Sequence, residues 1–420
     1  MIRTPIVLVL ACVLGCASLL AAQQPSFRAS VDLIAVDTQV VSTDGDPIAD
    51  LGPDDFIVTV DGERRRVVSA DLHQYAIGAA RQGAAPTGDE PFVSVGAPRI
   101  FIVAVDATSF YPGAAAPAME AAQAFVASLP RQDYVGLYTY PDGPQIVPTL
   151  ERVPVRQGLA TIVGSRMPFS GQFNLRPSEV VDITAMAGER PGSLSGRAVA
   201  ALQGVPIAEY DPVRAVQYRE CPDDAECATR IVSEARAFAL HLEAQAQRSL
   251  GGLAHLLRVV EGLPGRKYIV LITGGVLVSD RPGGRPDVGQ LATTMGQTAA
   301  RSNAVLYTVH IDGSFSGLYS AAGRRTGETE RGRDRGMVGD WLDRFSATAG
   351  GARFHVPVGA GEFAFERVLR ETSAMYLLGV EASDEDRDGR PRQLKVRLAR
   401  SAPKDASVRH RQWVVVDDRP

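Results

Sequence analysis

The chain has 420 residues, more than one ordinary hydrophobic core serves, so about two or three domains are expected. Hydrophobic residues make up 45% of the sequence, which is the content of a globular protein. The net charge of −4 offers no basic face for phosphate groups, and nucleic acid is therefore excluded as an expected partner.

The first 22 residues predict a secretory signal peptide. Arg3 precedes an apolar stretch over residues 5 to 20, and Ala21 and Ala22 form a small-residue cleavage site. The alternative is a lipoprotein signal, in which Cys16 at the end of VLGC carries the lipid anchor. Either signal exports the mature chain, to the periplasm, the cell envelope or the medium. No later segment has ~18 consecutive apolar residues, so no transmembrane segment is expected after signal removal.

Removal of the signal leaves two cysteines, Cys221 and Cys227, in the stretch ECPDDAEC. In an oxidising compartment, two cysteines this close in sequence usually form a disulfide. The alternative is a metal site, but cysteine ligands usually stand closer together and no histidine pair lies nearby. We therefore predict a disulfide between these two residues.

Residues 23 to 77 are predicted to form an N-terminal β module. The segment VDLIAVDTQVV alternates apolar and polar residues with the period of a half-buried strand. STDGDP predicts a turn, and DFIVTVDGERRRVVSADL predicts a hairpin around Asp61 and Gly62. Residues 78 to 97 contain a stretch rich in Gly, Ala and Pro and are expected to be a linker.

Between residues 98 and 375, apolar strands alternate with helical patterns, as in FIVAV, DYVGLYTY, KYIVLITGG and AVLYTVHID. This alternation predicts a doubly wound, mostly parallel α/β sheet of Rossmann-like type with helices on both faces. Residues 165 to 225 break the rhythm and predict an insertion. A long helix follows, with an expected kink at Gly251 and Gly252. The charged run 324 to 336 is expected to be a solvated loop.

Residues 376 to 420 return to a β pattern, with the segments YLLGVE, RQLKVRLA and SVRHRQWVVV. Three short strands bury little surface alone. We expect them to pair with the N-terminal module in one β-sandwich-like unit. The chain would then leave that unit, form the α/β domain and return.

The predicted ligand-binding residues lie at the carboxyl ends of two predicted strands. Asp106, Thr108 and Ser109 follow the first strand, and Gly274 ends the central strand. Open α/β sheets bind their ligands at this edge, where strand order reverses. The alternative role for Asp106 is to cap the following loop through backbone hydrogen bonds.

The order of these segments resembles a von Willebrand factor A (VWFA) domain, and more closely the VWFA-related family of secreted proteins abundant in acidobacteria. Residues 31 to 67 resemble the leading β module of that family. RIFIVAVDATSF resembles its first strand and metal loop, and LPGRKYIVLITGG resembles its central strand. AVLYTVHIDG, RFSATAGGARF and SAMYLLGVE follow in the order of the family. The resemblance covers most of the mature chain and is weak over residues 165 to 225.

A VWFA domain binds partners through a metal-ion-dependent adhesion site (MIDAS). An Asp-x-Ser-x-Ser loop, a threonine from a second loop and an aspartate after the central strand hold Mg²⁺, which prefers six oxygen ligands. A carboxylate of the partner completes the shell. Carried over to this chain, Asp106 is kept, Thr108 replaces the first serine and Phe110 replaces the second.

The remaining ligands also depart from the pattern. Gly274 occupies the position of the aspartate that follows the central strand in the family. Ser170 and Thr149 are the only candidates for the threonine ligand of the second loop. The resemblance therefore implies a degenerate MIDAS without a cofactor. If a site survives, Asp106 and Thr108 would bind Mg²⁺ weakly, with Ser109 as a substitute ligand.

Two further motifs have the form of a metal loop. Asp312, Ser314 and Ser316 spell Asp-x-Ser-x-Ser after the fifth strand, and we interpret them as an ordinary loop. DEDRDG, residues 384 to 389, begins like a calcium loop but has Lys395 where a glutamate is required, so a hairpin turn is predicted.

Signals for an enzyme are poor. GSLSG and GSFSG carry Leu194 and Phe315 where a nucleophile elbow requires serine. The sequence therefore predicts an exported, non-enzymatic protein that binds a protein partner or a surface, as in cell adhesion, through the top of the α/β domain. The alternatives are a Mg²⁺-dependent adhesin with a surviving metal site and a hydrolase of unrecognised type.

Overall fold

The fold is taken from a computed structural model, which describes residues 33–75, 98–188, 211–281, 283–313, 328–357, 359, 361–400 and 402–416. The predicted signal peptide, the alternative lipid attachment at Cys16 and all of the predicted linker lie outside these residues. The same is true of residues 189 to 210 in the predicted insertion.

The described residues contain strands at both ends of the chain and between the helices. In chain order they are β1 Leu33–Val41, β2 Phe56–Val60, β3 Glu63–Arg65, β4 Val67–Gln74, β5 Ile100–Asp106, β6 Tyr134–Tyr140, β7 Gln145–Thr149, β8 Lys267–Thr273, β9 Ala304–Ile311, β10 Arg353–Val356, β11 Ala374–Glu381, β12 Pro391–Leu398, β13 Ser407–His410 and β14 Trp413–Val415.

The helices lie within the central part of the chain, between β5 and β11. In chain order they are α1 Ala116–Ser128, α2 Arg152–Ala160, α3 Pro177–Gly188, α4 Pro212–Glu220, α5 Cys227–Glu261, α6 Gly289–Arg301, α7 Glu328–Thr348 and α8 Glu362–Glu371.

The central sheet has six strands in the order β10-β9-β8-β5-β6-β7. Its neighbours are parallel except for β6 and β7, which are antiparallel. Every residue of β8 is buried, because helices cover both faces of the sheet. The prediction of a mixed α/β fold with a mostly parallel sheet is confirmed.

Successive residues of each central strand point to opposite faces, and each face has its own core. On one face, Phe101 and Val103 of β5 pack with α1, α2 and α8. On the other face, Ile102 and Ala104 pack with α5, α6 and α7. This division explains why the strands are apolar throughout, since both alternating sets of side chains are buried.

Strands from the two ends of the chain interleave in two antiparallel sheets, ordered β13-β1-β11-β4 and β14-β12-β2-β3. Val36, Val58, Leu378 and Val396, each from a different strand, belong to one core between these sheets. The hairpin at Asp61 and Gly62 is present, and it joins β2 to β3. The chain therefore forms part of this antiparallel unit first and completes it after the central sheet.

Two local predictions are wrong. The described part of the run 324 to 336 is not a loop, because α7 begins at Glu328. Residues 384 to 389 do not form a hairpin turn, since they connect β11 and β12, which belong to different sheets. Helix α5 is helical throughout, including Gly251 and Gly252, and the kink expected there stays a prediction. A side chain at Gly252 would collide with the ring of Tyr140, so this glycine permits close packing.

A polar seam joins the antiparallel unit to the amino-terminal edge of the central sheet. Tyr307 of β9 donates its hydroxyl to Gln39 Oε1 of β1 at 2.8 Å. Gln39 Nε2 in turn donates to the carbonyl oxygen of Glu371 at 3.1 Å. Arg266, directly before β8, pairs with Asp37 at 3.3 Å. Because the seam occupies the amino-terminal edge of the central sheet, a ligand-binding site is expected at the opposite, carboxyl-terminal edge.

Candidate functional site

Asp106 ends β5 between the neighbouring strands β6 and β8, and its side chain is fully buried. Thr108 Oγ1 donates to Asp106 Oδ1 at 2.6 Å. Thr273 Oγ1, at the end of β8, donates to Asp106 Oδ2 at 3.1 Å, and the Ser249 hydroxyl of α5 donates to the same oxygen. Both carboxylate oxygens are therefore engaged by hydroxyl groups of the protein.

Ser109 ties the loop after β5 to the end of β8. Its hydroxyl donates to the carbonyl oxygen of Asp106 at 2.7 Å and accepts the amide hydrogen of Gly274 at 2.7 Å. A β-carbon added to Gly274 would lie only 2.7 Å from the carbonyl oxygen of Ser109. The two loops are thus packed too closely for any side chain at position 274.

The four predicted ligand-binding residues come together, but they are covered. Asp106, Thr108 and Ser109 are buried, and Gly274 is partly buried. The turn Ala107–Ser109 has no side-chain cap. A backbone hydrogen bond of Thr108 nevertheless reaches the Asp106 carboxylate, so the alternative role of Asp106 in holding the loop is present beside its contacts with side-chain hydroxyls.

Burial raises the pKa of Asp106, and the hydrogen bonds from Ser249, Thr108 and Thr273 oppose that rise. Burial also raises the pKa of Tyr140 well above its usual value, and the nearby charge of Asp106 adds to the rise. The site is therefore a dry environment in which a negative charge is stabilised by neutral donors alone.

The residues present do not fit a Mg²⁺ site as arranged. Phe110, which replaces the second serine, is buried in the core beside α1. Thr149 pairs with Val135 near the start of β6, at the opposite edge of the sheet from Asp106. Ser170 is exposed. One carboxylate whose oxygens already accept hydroxyl hydrogens falls short of the oxygen shell that Mg²⁺ requires.

Sequence reasoning missed two residues of this network, Ser249 and Thr273. Thr273 carries a usable signal, because it is the polar end of the apolar strand KYIVLIT, level with Asp106 on the neighbouring strand. Ser249 carries none, since it lies within the 35-residue helix α5 and reaches Asp106 only through the folding of that helix onto the sheet.

The other motifs are also located. Asp312 Oδ2 contacts His355 Nε2 at 3.0 Å, while Ser314, Ser316, Leu194 and Phe315 lie outside the described residues. Asp386 receives two hydrogen bonds from Arg65, at 2.9 and 3.0 Å. Within the described ranges, no group of three or more His, Cys, Asp or Glu side chains is arranged to hold a metal ion.

The described parts of the insertion, residues 165–188 and 211–225, form a roof with α5. Phe173, Ile183 of α3 and Val216 of α4 share a small core with Ile231 and Ala235 of α5. Cys221 and Cys227 stand at disulfide distance, with their Cα atoms 6.5 Å apart. The expected disulfide would therefore link the end of the roof to the start of α5.

An ion network anchors the roof to the carboxyl end of the sheet. Asp182 of α3 is buried and accepts two hydrogen bonds from Arg333 of α7, at 2.8 and 2.9 Å. Arg281, after β8, pairs with the same carboxylate at 2.8 Å. Arg333 also binds Asp280. These charges explain why the run 324 to 336 is helical from residue 328, because its arginine has fixed partners.

The first residues of the roof, Ser165 and Arg166, lie directly on the loop after β5. The amide of Ser165 donates to the carbonyl oxygen of Ala107, and the amide of Arg166 donates to that of Phe110, each at 2.8 Å. The Arg166 guanidinium lies over the Tyr111 ring at 4.9 Å. This segment therefore covers the buried site and is held by backbone hydrogen bonds.

Apolar side chains on this cover face the solvent. Tyr111, Val163 and Met167 are 45%, 58% and 66% exposed. Phe169 stacks on Phe238 of α5, with ring centroids 4.4 Å apart. We call Tyr111, Val163, Met167 and Phe169 the apolar ridge.

Comparisons with protein-family models and with curated proteins found no match for this chain. In the part of the chain that the structure describes, none of the helices is both long and apolar enough to cross a bilayer. Function therefore has to follow from the geometry of the buried site and the surface above it.

Proposed function

We propose that this chain is an exported, non-enzymatic binding protein of the VWFA-related type, which engages a protein partner through the apolar ridge. The observation that carries the proposal is the exposed ridge directly above a closed, degenerate metal site. Support for export comes from the signal pattern of the first 22 residues. The VWFA-related assignment is supported by the order of the sequence segments and by the mixed α/β fold.

The closed site favours binding over catalysis. The hydroxyl groups of Thr108, Ser249 and Thr273 all donate to the Asp106 carboxylate. A carboxylate with no exposed surface does not reach a substrate proton, which a general base must do within about 3 Å. The hydrolase alternative therefore gains no support from this site.

The ridge has the features of a protein-binding surface. Exposed tyrosine, methionine and valine side chains lose contact with water when a partner covers them, and this burial drives association. Contiguous apolar surface on a soluble protein usually marks an interaction site. The ridge is also backed by fixed structure, since Gly164 packs against the backbone of Phe110 and Tyr111. A rigid surface loses little conformational entropy on binding.

The test is a comparison of partner capture by four immobilised forms of the mature protein. The wild type is compared with Val163→Asp/Met167→Asp, with Asp106→Ala and with the control Val147→Asp/Val153→Asp. The control residues are 80% and 57% exposed and lie on β7 and α2. Proteins that bind the immobilised wild type should not bind the ridge variant Val163→Asp/Met167→Asp. They should still bind Asp106→Ala and the control Val147→Asp/Val153→Asp.

Three outcomes would contradict the proposal. Equal loss in the control and the ridge variant would show that the ridge is not the binding surface. Loss of the partner in a chelator, together with loss in Asp106→Ala, would establish the Mg²⁺-dependent adhesin instead. Turnover on esterase and peptidase substrate panels would establish the hydrolase.

A further inference from the structure

The antiparallel sheet β14-β12-β2-β3 carries three basic side chains on its outer face. We propose that Arg64, Lys395 and Arg397, the basic face, form a second interaction surface that binds an acidic segment of a partner protein. This proposal does not depend on the function of the apolar ridge, because it uses different residues in a different part of the fold.

The strand pattern places these three residues on one face. Along β12, Leu394 and Val396 are buried, whereas Lys395 and Arg397 are exposed. Lys395 lies opposite Thr59 of β2, and Thr59 lies opposite Arg64 of β3. Because side chains alternate across a strand, Lys395, Thr59 and Arg64 form one row on the outer face. Arg397 begins the next row, beside Ile57.

Two acidic residues near these rows are already paired with other arginines. Asp61 binds Arg392 at 2.9 Å, and Glu63 binds Arg65 at 3.0 Å. Across the described residues, by contrast, Arg64, Lys395 and Arg397 have no ion pair. The cations of this face are therefore free to meet an external carboxylate.

Such a concentration of positive charge is unusual for this chain. The chain as a whole is acidic, with a net charge of −4, and contains only three lysines, one of which is Lys395. The basic face therefore runs against the average charge of the chain, as a surface that steers an acidic partner does.

The dimensions of the face fit an extended acidic peptide. Lys395 and Arg397 are two residues apart on one strand, so their Cα atoms are separated by about 6.8 Å. Alternate residues of an extended peptide have the same spacing. Lys395 and Arg64 are two strands apart, about 9.6 Å, so a peptide that carries acidic groups at alternate positions can meet all three cations.

Other anionic partners fit less well. None of the exposed large apolar residues among the described ranges lies on this face, although the partly exposed Trp413 of β14 does, opposite Gln393. A bilayer is disfavoured, because membrane surfaces are held by several inserted apolar side chains together with charge. Stacking of a polysaccharide on Trp413 is distinguished by the measurements below. Thr59 and the half-buried Ile57 suit the mixed contacts of a protein segment.

The basic face and the apolar ridge lie in different regions of the molecule. The ridge covers the carboxyl-terminal edge of the central sheet, while the antiparallel unit joins its amino-terminal edge through Arg266 and Tyr307. Two partners can therefore be bound at once without competing for surface.

The test uses a fluorescein-labelled peptide with glutamate at alternate positions and threonine between them. Its Kd is measured by anisotropy for the wild type, for Lys395→Glu/Arg397→Glu and for the control Arg131→Glu/Arg344→Glu. All four substituted residues are exposed, so circular dichroism should show no change of fold. We expect at least about a tenfold rise in Kd for the basic-face variant and less than about a twofold change for the control.

Further measurements identify the class of partner. Binding of the peptide should weaken as salt rises from about 0.05 to 0.5 M, because exposed charges are screened. An equal loss of affinity in both charge-reversal variants would overturn the proposal. Tighter binding of anionic phospholipid vesicles or of a uronic acid polymer, lost in Lys395→Glu/Arg397→Glu, would also overturn it in favour of a lipid or polysaccharide ligand.

Discussion

The two edges of the central sheet bury charge in different ways. At the amino-terminal edge, Arg99 and Asp133 are both buried and form an ion pair with N–O distances of 2.5 and 3.0 Å. At the carboxyl-terminal edge, Asp106 is equally buried but is held by the hydroxyl groups of Thr108, Ser249 and Thr273. At the amino-terminal edge an opposite charge neutralises the buried group. At the carboxyl-terminal edge only hydrogen bonds from uncharged hydroxyl groups stabilise the buried carboxylate.

This difference distinguishes how the two edges are held together. Arg99 also donates to the carbonyl oxygen of Thr372 at 3.0 Å, so its ion pair ties the antiparallel unit to the sheet. Asp106 links β5 to α5 and β8 through uncharged hydroxyl groups, and burial raises its pKa. A buried carboxylate with neutral partners is costly, which is characteristic of sites kept for function and not for stability.

The largest effect is expected where a buried ion pair is broken. Asp133→Ala leaves the guanidinium of Arg99 buried without its carboxylate and should lower the free energy of unfolding by about 3–5 kcal/mol. Urea denaturation monitored by circular dichroism measures this change. The matched control is Arg99→Met/Asp133→Leu, which removes both charges and should recover most of the loss. If the control is as unstable as Asp133→Ala, packing and not charge maintains this edge.

Acid is expected to lower the free energy of unfolding by about 3 kcal/mol, because it protonates His310 near the carboxyl-terminal edge. Burial, together with the positive charge of Arg353, lowers the pKa of His310 from 6.5 to about 4. Arg353 Nη1 lies 3.0 Å from His310 Nδ1, and the His355 ring lies 5.5 Å away. Asp312, which favours protonation, is too weak to compensate.

The sign follows from the lowered pKa. The unfolded state binds a proton below pH 6.5, whereas folded His310 stays neutral to about pH 4. Its contribution to stability is therefore complete above pH 6.5, declines as pH falls, and is lost below about pH 4. Urea titrations at intervals between pH 7 and pH 4 should show this decline, and His310→Gln should flatten it. A decline of the same size in His310→Gln would assign it to other groups.

The sequence predicted the layout of the sheet because its strands are continuous apolar runs separated by helical patterns. Each run, such as Tyr268 to Ile272, is buried on both faces, and that pattern is visible without a structure. The amino-terminal part of helix α7 was missed because the run 324 to 336 is as polar as a loop. Its helical part is stabilised by tertiary ion pairs, as Arg333 shows, and a local pattern does not reveal such pairs.

The candidate site was predicted in part for a similar reason. Asp106, Thr108, Ser109 and Gly274 were found because each follows an apolar strand, and they do meet. Their burial was not predictable, since it arises in the tertiary structure, where Ser249 of α5 reaches Asp106 and the amides of Ser165 and Arg166 bond to the loop after β5.

The smallest changes in stability are expected from substitutions of Asp106. They test whether its carboxylate only accepts protein hydrogen bonds or also binds a metal ion. Asp106→Ala removes the acceptor of three hydroxyl groups and should cost about 1–3 kcal/mol of stability. Asp106→Asn keeps one acceptor oxygen. Because the raised pKa of Asp106 makes its ionised form unfavourable, wild type should lose stability relative to Asp106→Asn as pH rises above about 3.9.

Calorimetric titration of the wild type with Mg²⁺ and Mn²⁺ completes this comparison, with Asp106→Ala as the control. We expect the same heat of dilution for both proteins, because the carboxylate oxygens already accept protein hydrogen bonds. Specific heat that Asp106→Ala abolishes would mean that a cation displaces the hydroxyl hydrogens and opens the loop after β5. The carboxyl-terminal edge would then be an active metal-dependent adhesion site. The absence of an ion pair to Asp106 would in that case reflect metal binding, and not the loss of a metal site.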